Sequence, residues 1–330
     1  MALRNDQYDL IMREYSRRQN ANHRLLESRR EEIFRKIPRI AEINRQISAL
    51  SAEHIRKSLL SGFSSESASL HARTAELEEE RQLLLRSYGY PVDYLEMPDT
   101  CPICHDTGFT EGGKKCSCFR QLEIDLLYRQ KDLDEILRKE NFNTFSLKWY
   151  PESIKDEATG KSAAELARNA FQVSQEFTEH FDDTFSNLFF YGDTGVGKTF
   201  LSHCIAAELL SASHSVLYFS SFDLFDHLAA AAFGEDRTSA PDSIIFDCDL
   251  LIIDDLGTEL TNAFVSSQLF LCVNERLLKQ KPTVISTNLS LRNFSDTYSE
   301  RTFSRIASAY HMCKLIGKDI RILKKINGGK

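Results

Sequence analysis

The sequence lacks any apolar run long enough to cross a bilayer, which excludes a membrane-spanning protein. Its first residues, Met1 to Asp6, contain no apolar signal core, and this argues against export. We therefore expect a cytoplasmic protein with reduced thiols and no membrane partner. A large excess of charge is also missing, since the net charge is −7 over 330 residues. This composition is typical of a globular protein.

Glycine and proline are nearly absent from the first part of the chain, where Pro38 is the only proline before Pro91 and Gly62 is the first glycine. Such a composition favours long helices. Isoleucines recur at steps of three and four between Ile33 and Ile47, which predicts an amphipathic helix. We expect two helices, broken near residues 61–65, that form an antiparallel hairpin. Their charge runs indicate solvated faces more than a nucleic-acid surface, whereas the apolar stripe suggests a partner protein.

Residues 192–199, Gly-Asp-Thr-Gly-Val-Gly-Lys-Thr, match the phosphate-loop pattern G-x-x-x-x-G-K-[ST]. An apolar stretch at 186–191 predicts a strand before the loop, and 199–210 predicts a helix after it. The alternative is a chance match of a short glycine motif, and this context argues against it. We therefore predict a nucleoside triphosphate site, in which Lys198 reaches the β- and γ-phosphates and Thr199 binds Mg²⁺. The predicted nucleotide contacts in and beside the loop are Gly192, Asp193, Thr194, Gly195, Val196, Gly197, Lys198, Thr199 and Phe200.

A second acidic motif supports this site. Residues 249–255 are aliphatic between their ends and finish in two carboxylates, as expected of a buried parallel strand that opens onto the phosphates. A core strand ending in a turn is the alternative, and the phosphate loop argues against it. In this Walker B element, Asp254 is predicted to hold Mg²⁺ with Thr199, and Asp255 to orient the attacking water.

Polar residues beyond this motif complete the predicted catalytic set. The β-branched run 283–288 ends in Asn288, whose amide can approach the γ-phosphate and the water. Arg301 and Arg305 lie four residues apart on one side of a predicted helix. Such arginines are usually surface charges. In an assembled ATPase, however, one guanidinium must reach a neighbouring molecule's γ-phosphate.

Four of the eight cysteines form the pattern Cys101-Pro-Ile-Cys104 and Cys116-Ser-Cys118. Four thiolates at this spacing can surround Zn²⁺ in a knuckle that is too small for a hydrophobic core of its own. Free thiols or a disulfide are the alternatives, and the Cys-x-Cys half is less usual than Cys-x-x-Cys. We predict structural zinc on Cys101, Cys104, Cys116 and Cys118. His105 could replace one sulfur, and the other cysteines are expected in the core.

The order of these motifs resembles that of the AAA+ ATPases, and specifically the DnaC/DnaI-type helicase loaders with their IstB-like relatives, over roughly residues 140–325. Residues 254–259 are similar to the Walker B continuation of that group, 285–288 to its sensor 1 strand and 303–306 to its arginine-finger box. Residues 317–321 resemble its closing segment, in which Arg321 takes a sensor 2-like place. Residues 141–145 resemble the segment near the adenine, although Phe142 and Phe145 also suit apolar anchors.

The resemblance implies an α/β fold: an AAA+ P-loop NTPase core with a parallel sheet and flanking helices, preceded by the helical hairpin and the zinc knuckle. It implies ATP and Mg²⁺ as ligands, with Asp255, Asn288 and Arg305 as catalytic residues and Arg301 as the fallback for Arg305. The ATPase domains are expected to associate with one another, so the monomer hydrolyses ATP weakly. The implied task is loading a replicative hexameric DNA helicase onto single-stranded DNA, with the zinc-binding amino-terminal region holding the helicase.

Three other functions are possible for such a chain. An IstB-like transposition helper would act on duplex DNA, and the knuckle and hairpin favour the loader over it. An initiator would need a helix-turn-helix after the core, for which we expect no room. An adaptor with a vestigial site is disfavoured because every catalytic position is filled. The predicted organisation is a partner-binding hairpin (1–95), the zinc knuckle (96–121), a linker helix (122–145) and an ATPase domain (146–330) without the helical lid of many AAA+ proteins.

Overall fold

The computed structural model describes residues 5–61, 67–128, 133–233 and 242–327. The chain divides into two compact units: one contains Met1–Ile11 together with Phe109–Lys330, and the other contains Met12–Gly108. Within the described ranges, every helix is too short or too polar to cross a membrane.

Three helices occupy the first part of the chain: α1 (Asn5–Lys36), α2 (Pro38–Ser61) and α3 (Ser67–Ser87). The expectation of one continuous helix before residue 61 is wrong, because Ile37 interrupts it. Proline disfavours the helical conformation of the residue before it, and its missing N–H is tolerated at the first position of a new helix. Of the break predicted near 61–65, only Ser61 lies within the described residues.

Helices α2 and α3 run antiparallel, as the hairpin prediction requires. Arg39, near the start of α2, donates from Nε to Oε1 of Glu80, in the second half of α3, at 2.7 Å. A second bond joins Nη2 to Oε2 at 3.0 Å. Beside this pair, the side chains of Ile37, Ile40 and Leu85 are buried in one apolar cluster. The apolar cluster and the ion pair together fix the register of the hairpin.

The unit that contains residues 109–330 is built on five parallel strands: β1 (Leu188–Gly192), β2 (Val216–Ser220), β3 (Leu250–Leu256), β4 (Thr283–Thr287) and β5 (His311–Leu315). Their order in the sheet is β2-β3-β4-β1-β5. Since all strands are parallel, their carboxyl ends meet at one edge, where ligands bind in open α/β sheets.

Helices precede, connect and follow these strands. They are α4 (Ser117–Tyr128), α5 (Leu133–Lys139), α6 (Ala163–Glu179), α7 (Lys198–Ser211), α8 (Ser221–Phe233), α9 (Asp242–Asp247), α10 (Ala263–Leu278), α11 (Leu291–Tyr298), α12 (Glu300–Ala309) and α13 (Ile320–Asn327). The linker helix predicted at 122–145 corresponds to α4 and α5, the second of which ends at Lys139, and residues 129–132 between them lie outside the described part.

Apolar side chains cover both faces of the sheet. Successive residues of a strand point to opposite faces, and accordingly Phe190 packs in one core cluster and Phe189 in the other. Cys204 and Cys313 belong to the first cluster, Cys248 and Cys272 to the second, and all four are buried. The predicted fold class, a parallel sheet wound with helices and preceded by a helical hairpin, is confirmed.

Candidate nucleotide site and cysteine cluster

The phosphate loop connects β1 to α7 at the carboxyl edge of the sheet. Gly192, Gly195 and Gly197 have φ values of 128°, 75° and 97°, which residues other than glycine rarely adopt. A Cβ atom on Gly192 would lie 1.8 Å from the carbonyl oxygen of Leu315. These positions therefore require glycine for both conformation and space.

Lys198 is the first residue of α7, and its side chain turns back onto the loop. Its Nζ atom donates to the carbonyl oxygens of Gly192, at 2.9 Å, and Asp193, at 2.6 Å. Burial lowers the pKa of Lys198, whereas the carboxylates of Asp255, Asp254 and Asp193 act in the opposite direction. The ammonium is thus held by main-chain oxygens beside the turn that would receive the phosphates.

Asp254, near the end of β3, is held by hydroxyl groups from three elements. Its Oδ1 atom accepts from Ser286 of β4 at 2.5 Å and from Thr199 of α7 at 3.3 Å. Its Oδ2 atom accepts from Tyr218 of β2 at 2.8 Å. The Asp254 carboxylate and the Thr199 hydroxyl are hard oxygen ligands of the kind that suits Mg²⁺, so the residues fit the ion.

Asp255 differs from Asp254 in its backbone conformation and in the exposure of its side chain. It has a φ of 53°, in the left-handed region, at an irregularity in the pairing of β3 with β4. Its backbone N–H donates to Oγ of Ser286 at 2.9 Å, while its side chain is exposed at the pocket. Partial desolvation by the pocket walls, and then the charge of Asp254, raise the pKa of Asp255. Its carboxylate therefore faces the cavity, whereas that of Asp254 is bonded inside the protein.

One cavity of about 280 Å³ collects most of the predicted nucleotide contacts. It is lined by Thr194, Gly195, Gly197, Lys198, Thr199, Phe200, Asp255, Asn288 and Arg321. Asn288 follows β4 and Asp255 lies in β3, so two neighbouring strands deliver their polar ends to the same space. The cavity can hold a phosphate chain between a cationic side and a carboxylate side.

Aromatic residues line the other end of this cavity. Phe145 stacks on Phe171, with ring centroids 4.8 Å apart, and approaches Tyr150 at 5.9 Å. The buried Tyr150 hydroxyl donates to the carbonyl oxygen of Val196 at 2.8 Å and so fixes the phosphate loop. Phe142 packs edge-on against Phe171 and is absent from the cavity wall. Of the two phenylalanines, Phe145 alone is a wall of the pocket.

Arg321 enters the cavity from α13 but is tied to Asp319. Its Nε atom donates to Oδ1 of Asp319 at 3.1 Å, and its Nη2 atom donates to Oδ2 at 2.9 Å. This pairing raises the pKa of Arg321 and lowers that of Asp319. The Asp319 carboxylate also lies against the loop, since a Cβ atom on Gly195 would be 2.1 Å from its Cγ.

Arg305 does not reach the cavity of its own chain. It lies on the exposed face of α12 with Glu300, Arg301 and Ser304. Arg301 stacks over the ring of Phe270 at 4.8 Å. Among the described residues, no carboxylate pairs with the Arg305 guanidinium. The arginine predicted to act on a neighbour is thus free and turned outward.

The sulfur atoms of Cys101, Cys104, Cys116 and Cys118 all lie within 4.8 Å of one another. A tetrahedral Zn²⁺ site with bonds of about 2.3 Å needs sulfurs about 3.8 Å apart, so the residues fit this ion. The backbone N–H of Gly108 donates to Sγ of Cys104 at 3.3 Å, as in supporting shells of thiolate sites. His105 is outside the group, since its Nδ1 atom bonds to Asp99.

Several contacts around these sites had no signal in the sequence. Asp106 is fully buried and accepts from the backbone N–H groups of Thr100 and Cys101, at 2.7 and 3.0 Å. Ser286 and Tyr218 hold Asp254 from separate strands. The residue pattern along the chain does not predict these contacts, because each depends on turn geometry or on strand register.

A parallel sheet with a phosphate loop, a paired acidic strand end and a polar residue on the next strand is the fold of an AAA+ P-loop NTPase core. Residues 163–321 match the family model of IstB-like ATP-binding proteins. The predicted resemblance to AAA+ proteins of the DnaC/DnaI and IstB type is confirmed.

Three curated relatives are similar to this domain. A replicative helicase loader, DnaC of Buchnera aphidicola, is 22% identical over 42% of this chain and 57% of its own length. A replicative helicase loader, DnaI of Bacillus subtilis, is 29% identical over 40% of this chain and 43% of its own. An insertion sequence ATP-binding protein of Sinorhizobium fredii is 28% identical over 42% and 58%. The chain thus spans about half the length of the curated relatives it matches.

Proposed function

We propose that this protein is an ATPase that loads a replicative hexameric DNA helicase onto single-stranded DNA. The observation that carries the proposal is the division of the catalytic set: Lys198, Asp255 and Asn288 line one cavity, whereas Arg305 faces outward and has no ion-pair partner in the described part of the chain. A site divided in this way is completed only when a second copy presents its arginine. Self-association through the ATPase domains would then control hydrolysis.

Each residue of the cavity has a defined task in this proposal. The loop amides and Lys198 bind the β- and γ-phosphates, and Thr199 with Asp254 would hold Mg²⁺, which neutralises charge on the phosphates. Asp255 accepts a proton from the attacking water, and Asn288 orients that water. The guanidinium of Arg305 from the neighbouring copy stabilises charge in the transition state. Arg321 exchanges its bond to Asp319 for a phosphate contact.

The loading task and the partners come from the relatives, two of which are named replicative helicase loaders. We propose that residues 1–95 hold the helicase, that residues 96–121 form a zinc-stabilised knuckle and that residues 122–145 join it to the ATPase domain at 146–330. ATP binding and hydrolysis would switch the grip on the helicase and on single-stranded DNA.

A second candidate is an IstB-like transposition helper acting on duplex DNA. The family model and the insertion sequence relative favour it. The two functions differ in the nucleic acid that stimulates hydrolysis and in the protein that is bound.

The deciding experiment measures ATP hydrolysis with single-stranded and with duplex DNA, together with co-purification from a native extract. A loader should be stimulated by single strands and should retain a hexameric helicase. Arg305→Ala should abolish this stimulation while ATP affinity stays near normal. Arg301→Ala removes the fallback arginine on the same helix and should keep the stimulation, and the reverse result would assign the trans role to Arg301. Stimulation by duplex alone, without a bound helicase, would instead establish the transposition helper.

A further inference from the structure

A partly buried side-chain contact joins the loop that follows β3 to the last residue of α11, just before α12 begins. The Tyr298 hydroxyl, at the end of α11, donates to Oε1 of Glu259. Oε2 of the same carboxylate accepts the backbone N–H of Gly257 at 3.0 Å. Burial, and then the bond to Glu259, raise the pKa of Tyr298, so its hydroxyl keeps the proton that it donates. Glu259 therefore links this loop to the joint between α11 and α12.

That joint is conformationally strained. Ser299, the residue after Tyr298, has φ 87° and ψ 145°, which is unusual for a residue with a side chain. A backbone in such a region persists only where the surrounding contacts over-determine it. On one side, the Ser299 hydroxyl accepts from the N–H of Thr302 and caps α12. On the other side, the fully buried Tyr298 is held by Glu259 and packs on Phe294 at 4.8 Å.

Arg305 is carried by the helix that begins at this joint. The direction of α12 sets where the guanidinium lies, and the Arg305 side chain itself has no ion-pair partner among the described residues that could correct an error. A displacement of about 1 Å at a catalytic group can lower a rate about a hundredfold. Precise placement of α12 thus matters more for this arginine than for a side chain that is anchored by its own contacts.

We propose that Glu259 and Tyr298 are positioning residues that hold the strained joint and thereby aim Arg305 at the nucleotide site of a neighbouring copy. The inference rests on the proposed function, because it needs an arginine that acts in trans. A purely structural role is the alternative, in which the contact stabilises the unit but has no particular effect on the neighbour's site.

Two variants of the chain, mixed in one assay, distinguish the positioning role from the structural role. An acceptor chain carries Arg305→Ala, so it keeps its own cavity but presents no arginine. A donor chain carries Asp255→Asn, so it presents Arg305 but lacks the carboxylate that activates water. Each should be inactive alone with Mg-ATP and single-stranded DNA. Mixed equally, they should recover about a quarter of the wild-type rate, since half the chains have working cavities and half of those meet a donor across a head-to-tail interface.

Tyr298→Phe, which keeps the ring and removes only the hydroxyl, is then placed in one chain at a time. In the donor it should lower the recovered rate by at least roughly tenfold, because the donor's arginine is misdirected. In the acceptor the rate should stay within about twofold, because no arginine is presented there. Glu259→Gln, which retains an acceptor oxygen, should give the same asymmetry with a smaller loss.

Every other outcome contradicts the inference. No loss in either arm would show that the bond does not aim the arginine, and an equal loss in both arms, including one caused by misfolding, would assign a structural role. Failure of the parent mixture to recover activity is a separate result, because it removes the trans arginine of the proposed function before Tyr298 is changed.

Discussion

Replacement of Ser286 by alanine tests whether strand register builds the acidic side of the nucleotide site. The Ser286 hydroxyl donates to Oδ1 of Asp254 at 2.5 Å and accepts the backbone N–H of Asp255 at 2.9 Å. The side chain is fully buried, so water cannot replace these partners in the variant. Ser286→Ala therefore removes a donor from a carboxylate and leaves an amide without its acceptor.

The size of the effect follows from these two contacts. A hydrogen bond to a charged group contributes about 1.5–3 kcal/mol, and an unsatisfied buried group costs about 1–3 kcal/mol. Since Asp254 keeps its bonds to Tyr218 and Thr199, we expect a total loss of about 2–5 kcal/mol in the free energy of unfolding. A loss of this size is a large part of the stability of an ordinary domain.

Urea unfolding, followed by the fluorescence of Trp149, measures this loss of free energy in the unit that contains the sheet. Trp149 is suitable because it is the only tryptophan of the chain and lines the nucleotide cavity. Ser202→Ala is the matched control: its hydroxyl is also fully buried, and it has no hydrogen-bond partner in the described part of the chain. The control should be neutral or stabilising by up to about 1 kcal/mol. If Ser286→Ala costs no more than Ser202→Ala, the reasoning about this contact is wrong.

Three further changes have distinct expected results. Gly195→Ala would put a Cβ atom 2.1 Å from Cγ of Asp319, so ATP affinity, measured by Trp149 fluorescence, should fall at least about tenfold. The control is Gly160→Ala, because Gly160 has a similar φ of 70° but open space around it, and this variant should leave ATP affinity unchanged. Asp255→Asn should stabilise the nucleotide-free protein at pH 7. The raised pKa of Asp255 means that the native state resists its ionisation, so the gain should shrink as the pH falls toward about 3.9 and the wild-type side chain becomes protonated. Metal analysis of freshly reduced protein should find about one zinc per chain. Cys116→Ser should lower this zinc content, whereas Cys313→Ser, in the core, should not. Metal-free wild-type protein would refute the zinc proposal.

The loop and strand-end residues of the site could be predicted because their spacing along the chain already implies their arrangement. A strand, a glycine turn and a helix place Lys198 and Thr199 by local geometry, and parallel strands bring Asp254 and Asn288 to the same edge. Their supporting contacts could not be predicted. Ser286 reaches Asp254 only because β3 lies beside β4 in one register, and a shift by one residue would turn the serine to the other face.

The prediction for the amino-terminal helices was wrong at Pro38, a residue whose effect can be read from the sequence. Pro38 is compatible with a helix when it occupies the first turn, and the isoleucine pattern continues on both sides of it. Periodicity therefore favoured one helix, whereas the steric effect of proline on Ile37 ends α1 at Lys36. Where a proline interrupts an amphipathic pattern, the local steric rule should be applied before the periodicity.

Three charged groups of the nucleotide site are bonded within the protein, and these bonds bear on the proposed nucleotide switch. Lys198 is bonded to loop carbonyls, Arg321 to Asp319 and Asp254 to three hydroxyls. Bound triphosphate would replace some of these partners with its oxygens at Lys198 and Arg321 and with its Mg²⁺ at Asp254, so its net binding free energy is only the difference between the two sets. The exchange at Arg321 involves α13, and that at Asp254 involves three strands, so a modest affinity can still move several elements at once. A protein that grips a partner in one nucleotide state and releases it in another needs this combination, because very tight binding of ATP would hold it in a single state.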